Sequence, residues 1–382
     1  MPVHMLTEPI KAIFTTNLGV RTGERILVFT DRIPEGEVVD GRERSRREML
    51  RDIAVLTAEI GKAFSKRILY HEFPSSGSHG TEPPEELWHH AFSERPVEEL
   101  KRNGLFEKLL SKEISDGEMK KVAGIIRKYK GSAVHVVIAL SNYSTSHTRF
   151  RDLLTGVCGC RYASMPLFDA SMLEGAMRID WRLLERRTKR IARVVNRAAS
   201  IEVNTPNGTS LSFSKTGRKA MADTGILTRP GAFGNLPAGE VCLAPLEGTA
   251  HGRLVLEWAP TRELVSPVTL TVERGAVVKI EGKEPYKEIL QRKCGERLEN
   301  GNIAEFGIGT NERAQRPDNI LESEKILGTI HIALGDNSSF GGKVMTPFHQ
   351  DFVFFKPTVK LMHKDGTQRL LMEDGHFVEG EV

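Results

Sequence analysis

The sequence is short of the features that mark several classes of protein. Its 382 residues hold four cysteines, Cys158, Cys160, Cys242 and Cys294, which are too few and too scattered for a disulfide framework and form no CxxC pair. A reducing compartment suits such a chain, and the Cys158-Gly-Cys160 pair, with no second pair to complete a metal site, reads as ordinary thiols. No apolar run approaches the ~20 residues needed to span a bilayer, so no membrane role is expected. The opening MPVHMLTEPIKAIF lacks a basic segment followed by an apolar core and a cleavage site, and a cytoplasmic protein is expected. The net charge of +4 is small for this length, which removes any global electrostatic case for nucleic acid. Also missing are a GxGxxG after the first strand-like run and a Walker lysine loop, so no nucleotide is assigned. Internal repeats and low-complexity segments are absent as well.

What is present is a chain too long for one ordinary core, with 39% hydrophobic and 27% charged residues, the balance of a globular protein with two domains. The first half alternates. A helical stretch at 8–18 precedes strand-like RILVFT (25–30), an amphipathic run at 49–64 precedes RILYHEF (67–73), and helical 118–129 leads into AVHVVIAL (133–140). This rhythm predicts a Rossmann-like α/β domain with an open parallel sheet over residues 1–197. The Gly/Ser/Pro-rich loop at 74–88 reads as a surface turn leading into a helix. The basic helix at 182–197 carries its apolar residues at helical spacing, with no interleaved aromatics for base stacking, and reads as a connecting helix with a solvated face. From 198 to 382 the pattern becomes short strands and tight turns at Asn207-Gly208, Arg274-Gly275, Asp365-Gly366 and Asp374-Gly375, with one helix near 285–297. A β-rich, mostly antiparallel domain follows.

Within that second half, ionisable residues sit where core residues are expected. In TPFHQDFVFF (346–355), His349 and Asp351 are two apart and therefore project from the same face of a strand. GTIHIALG places His331 between two isoleucines, NIAEFGIG places Glu305 between Ala304 and Phe306, and NLPAGEVCLAP places Glu240 at the start of an apolar strand. Burying such groups without compensation is costly, and five of them in one domain point to a metal site. Three carboxylates against two neutral imidazoles leave one divalent ion short of balance, whereas two ions leave a single positive charge for a bridging hydroxide. Two divalent metals are therefore expected, zinc, cobalt, manganese or iron, activating a shared water.

The segments NLPAGEV, AEFGIGTN, GTIHIALGDNS and FHQDFVF resemble, in order and separation, the metal-binding segments of the aminopeptidase T family of metallopeptidases. IKAIFTTNLGVRTGERILVFTD and YASMPLFDASMLEGAM extend the likeness over most of the chain. The resemblance implies that Glu240, Glu305, His331, His349 and Asp351 ligate two metals, that Glu240 or Glu305 handles protons, and that the protein is a homodimeric, peptide- or amide-cleaving hydrolase. Its tyrosine seven residues after the HIALG histidine is Ser338 here, and the segment between His331 and His349 is shorter. Ser338 and Asn311 are the substrate-side candidates, with Arg313 and the Phe340-Gly341-Gly342 loop nearby in sequence, while His251, in the separate glycine-bearing loop EGTAHGRL, reads as a surface histidine.

Two other readings remain open from the sequence. His331, His349 and Asp351 alone form a set of two histidines and one carboxylate suited to a single iron(II), and an iron-dependent dihydroxypyridine ring-opening dioxygenase resembles the same fold family. Against it, Glu240 and Glu305 are more carboxylates than one iron needs. The third reading is a metal-binding relative without turnover.

Overall fold

The computed structural model describes residues 3–378 and 380. The chain divides into two compact units, one formed by Met1–Arg178 with Gly225–Pro237, the other by Ile179–Thr224 with Ala238–Val382.

In the first unit, strands Ile68–Pro74, Ile26–Arg32, Val136–Ala139, Arg161–Ser164 and Phe233–Asn235 lie side by side in that order, every pair parallel. Residues 26–31 of strand Ile26–Arg32 are buried in succession, the pattern of a strand covered on both faces and the reason its sequence opens with the apolar run Ile26-Leu27-Val28-Phe29. Helix Gly41–Gly61 starts where the Asp40 carboxylate accepts the Glu43 N–H. Helix Asp116–Lys128 starts with a reciprocal cap between Ser115 and Glu118. Trp88 stands edge-on to Phe106 and Phe150, at 5.5 and 5.3 Å between ring centroids, in an aromatic core. The fifth strand comes from a segment far along the chain. Its three residues are exposed or half-buried, too few to show any alternation in the sequence.

The buried carboxylates of this unit are held by backbone donors. Asp31 accepts the N–H groups of Asn142 and Tyr143 at 2.5 and 3.1 Å. Glu82 accepts those of Arg149 and Phe150 at 2.6 and 3.1 Å, at the start of helix Arg149–Leu153. Burial nevertheless pushes the Glu82 carboxyl up to about 7.

The paired strands described in the second unit are all antiparallel. One sheet runs Ala276–Gly282, Arg262–Glu273, His251–Ala259, Ser210–Ser214, Ser200–Asn204, Thr358–Met362, Gln368–Glu373, His376–Phe377. The other runs His349–Phe354, Ile330–Gly335, Ile303–Gly309, Glu240–Leu243, Met221–Asp223. All four turns expected from the sequence join paired strands. Phe306, Ile308, Ile330, Ile332, Phe352 and Phe354 from the shorter sheet share one core with Ile201, Val203, Leu211, Phe213, Leu254 and Leu256 from the longer one. Burying each of these side chains contributes roughly 1.5–3 kcal/mol of transfer free energy, so this shared face fixes the register of both sheets. Helix Trp181–Val195 buries Leu184, Ile191 and Val195 and leaves Arg182, Arg186, Lys189, Arg190 and Arg193 in solvent. Among the described residues no helix is long and apolar enough to cross a membrane.

Candidate metal centre

With one face of the shorter sheet committed to the core, the two-residue period of its strands sends every other side chain to the opposite face. There the register sets Asp351 and Glu305 on either side of Ala333, His331 and Cys242 on either side of Gly307, His349 beside Gly335, and Glu240 between Gly309 and Asp223. Each ionisable side chain thus faces a residue with little or no side chain. A bulge between Ile303 and Glu305 makes this possible, because it turns Glu305 away from the core face that Ile303 occupies. Gly307 is required by close approach. A Cβ there would lie 2.0 Å from Cε1 and Nε2 of His331, whose ring covers it.

The five residues singled out in the sequence meet. His331 Nε2 lies 3.2 Å from Glu240 Oε2 and 3.6 Å from Glu305 Oε1. His349 Nε2 lies 3.4 Å from both Glu305 Oε2 and Asp351 Oδ2. The Glu305 carboxylate therefore stands between the two imidazoles. His349 Nδ1 donates to the Asp336 carbonyl oxygen at 2.7 Å, which fixes its tautomer and turns Nε2 toward the carboxylates. Burial works to raise the Glu305 carboxyl, but the two histidines outweigh it and hold it well below the usual range. Burial would lower His331, yet Glu305 and Glu240 raise it to about 9, and His349 is held far above its ordinary value by Asp351 and Glu305.

The fold adds two residues that sequence reasoning passed over. Lys325 is fully buried, and its Nζ lies 2.8 Å from Glu240 Oε1 and 2.5 Å from Glu324 Oε1. Both residues follow the short helix Ile320–Ser323 in an irregular segment lying against Gly309, where a Cβ would meet the Ile326 carbonyl at 2.0 Å. Burial raises Glu324 to about 8 against the pull of Lys325. The charge count made from the sequence omitted this pair. Its only sequence signal was LESEKILG, an ordinary-looking polar stretch beside the His331 strand. Cys242 also faces the site, and burial followed by the charges of Glu305 and Glu240 keeps its thiol protonated.

The other candidates are not among the clustered donors. Ser338 is exposed and bonds back to Asp336 at 3.0 Å through its hydroxyl. Asn311 is fully buried, donating to the Ala238 carbonyl and accepting the Arg313 N–H, both at 2.9 Å. His251 is exposed, as is Arg313, whereas Phe340 packs edge-on against the His349 ring at 5.9 Å. A third acidic and imidazole group, Glu85, His89 and Glu98, is a surface ion-pair set with Lys101 bonded to Glu85.

Asp351 Oδ1 and His331 Nδ1 are buried without hydrogen-bond geometry to any described residue, and Glu240 Oε2 and His331 Nε2 face each other at 3.2 Å but without that geometry. Orphaned polar atoms cost about 1–3 kcal/mol each, and nitrogen and carboxylate donors left converging in this way fit a divalent first-row metal. Two groups, Glu240, Glu324, His331 and Glu305, His349, Asp351, are compact enough to hold an ion.

Residues 177–379, more than half the chain and all of the site, match the family described as NicX: 2,5-dihydroxypyridine 5,6-dioxygenase. The chain belongs to this family. Among solved structures it is similar to 2,5-dihydroxypyridine dioxygenase from Pseudomonas putida KT2440, at 18% identity over 98% of both chains with a TM-score of 0.67. It is also similar to wild-type AmpT from Thermus thermophilus, at 16% identity over 98% of this chain and 99% of that one, TM-score 0.57. At these identities both likenesses show the fold alone. No curated protein matches the sequence. Membership of the dioxygenase family overturns the aminopeptidase expected above, together with its hydrolase and protease chemistry. The resemblance to aminopeptidase T survives as a shared α/β fold. Different chemistries occupy one fold, so a shared fold does not carry the activity with it.

Proposed function

We propose that the protein is an iron(II)-dependent dioxygenase that opens the ring of 2,5-dihydroxypyridine or a closely related dihydroxylated heteroaromatic. The observation that carries this reading is the family match across 177–379, a span containing every donor described above. His331, His349 and Asp351 would hold one iron, with Glu305 between the imidazoles as a further carboxylate ligand. Bound iron(II) supplies the redox chemistry by which dioxygen reacts with a closed-shell ring, both oxygen atoms passing into the opened product.

The chain's own groups have definite tasks in this reading. Asp336 locks His349 through Nδ1, and the loop it begins is tied down by bonds from Ser338 and from the Thr346 N–H at 3.0 Å. Glu305 stays ionised and serves as a ligand, not a proton store. Phe340, edge-on to His349, offers an aromatic wall suited to a flat substrate. Glu240, which counted against a single iron in the sequence, is engaged by Lys325.

The test is an oxygen electrode run with anaerobically iron-loaded protein and 2,5-dihydroxypyridine. Uptake of one dioxygen per ring lost, followed by absorbance, is expected. Folded, iron-loaded protein that consumes neither oxygen nor any dihydroxypyridine isomer would refute it.

A further inference from the structure

We infer that Lys325 is a built-in cation that occupies the place of a second metal ion and keeps the centre mononuclear. This rests on the reading that the site holds a metal, and it concerns how many ions it takes.

The group Glu240, Glu324 and His331 is as compact as the group Glu305, His349 and Asp351, so the donor positions alone provide for two ions. The Lys325 ammonium sits on the first group, bonded to Glu240 Oε1 and Glu324 Oε1 at 2.8 and 2.5 Å. A divalent ion needs its oxygens at ~2.0–2.6 Å, so an ion at this group is denied Glu240 Oε1 and Glu324 Oε1 and would have to bind beside an ammonium of like charge.

Charge leads to the same place. Glu240, Glu305, Glu324 and Asp351 carry four negative charges when all are ionised, and one divalent ion with the Lys325 ammonium offsets three of them without a second ion. Lys325 supplies positive charge from within the chain, on the group nearer Glu240. The lysine cannot easily withdraw. It is fully buried, its N–H donates to the Glu322 carbonyl at 2.9 Å, and its own carbonyl accepts the Asn311 N–H at 2.9 Å. Asn311 is itself fixed by its bond to Ala238, which gives that buried residue a positioning role beneath the lysine.

The experiment titrates metal-free protein with manganese(II), counting bound ions by elemental analysis after desalting and reading coupling between ions by electron paramagnetic resonance. Wild type and Lys325→Arg, which keeps the cation, are expected to saturate at one ion per chain. Lys325→Ala is expected to take two, with a spin-coupled signal. A folded Lys325→Ala that still binds one ion overturns the inference, as does a wild type that binds two. The wild-type count decides the matter if the alanine variant does not fold. The outcome is separable from the dioxygenase reading, because oxygen uptake by the wild type can fail while the stoichiometry holds, and the reverse.

Discussion

The buried carboxylates of the first unit and those of the metal centre in the second are held in opposite ways. In the first, Asp31 and Glu82 each receive two backbone N–H groups and tie one segment of chain to another. In the second, Glu240, Glu305 and Asp351 accept no backbone N–H among the described residues, and they face imidazoles and a lysine with oxygen atoms left over. A buried carboxylate satisfied by the main chain holds a fold together. One that lacks such donors and points at other titratable groups is arranged for something that binds there.

The comparison breaks if ligands of the second unit can be removed without loss of metal. His331→Ala or Asp351→Asn is expected to lower iron affinity and turnover by more than about 100-fold, beyond the range for residues that merely support a ligand, while Glu82→Gln leaves both unchanged. Iron content after desalting and initial oxygen uptake give the answer.

A pair of glycines sharpens it. A Cβ at Gly307 would strike the His331 ring at 2.0 Å, and one at Gly61 in the first unit would strike Ile68 Cδ1 at 2.3 Å. Both alanine variants should lose about 1–3 kcal/mol in urea unfolding, from overpacking. Only Gly307→Ala should also lose iron, by about 10–100-fold, through displacement of a ligand ring.

Protons provide a third test. In the metal-free protein His331 is raised to about 9 and His349 well above its ordinary value, so both imidazoles carry a proton that an ion must displace. Iron affinity should therefore fall as pH falls below 9, by about tenfold per pH unit for each proton released. Calorimetric titration in buffers of different ionisation enthalpy measures that release directly.

The smallest effect belongs to the first unit. Glu82 moves from an ordinary 4.5 to about 7 on folding. Between those values the folded chain holds a proton that the unfolded chain gives up, so this group's contribution to stability is complete near pH 4.5 and is lost as pH rises through 7. Urea midpoints at pH 5 and pH 8 should differ less in Glu82→Gln than in the wild type.

Much of this was legible in the sequence. The four hairpin turns declared themselves through Asn-Gly, Asp-Gly and Arg-Gly pairs, and the donors showed as charges inside apolar strands. What stayed hidden has physical reasons. Lys325 and Glu324 sit in an irregular segment, where a Glu-Lys pair looks like solvated surface and burial leaves no periodic trace. The bulge that orients Glu305 has no strong residue signature at Ala304. The strand Phe233–Asn235 is too short to carry a pattern. The chemistry itself was misread because the same five donors, in the same order, suit a water-activating pair of metals or a single iron, and the buried lysine that bears on this choice lies outside the motifs that name the fold.

The most direct measurement of the central claim is mass spectrometry of the product formed from 2,5-dihydroxypyridine under labelled dioxygen by the iron-loaded protein. A ring-opened product carrying both labelled oxygen atoms, absent in His349→Ala, is what this account predicts. Unlabelled product, or labelled product undiminished in His349→Ala, would contradict it.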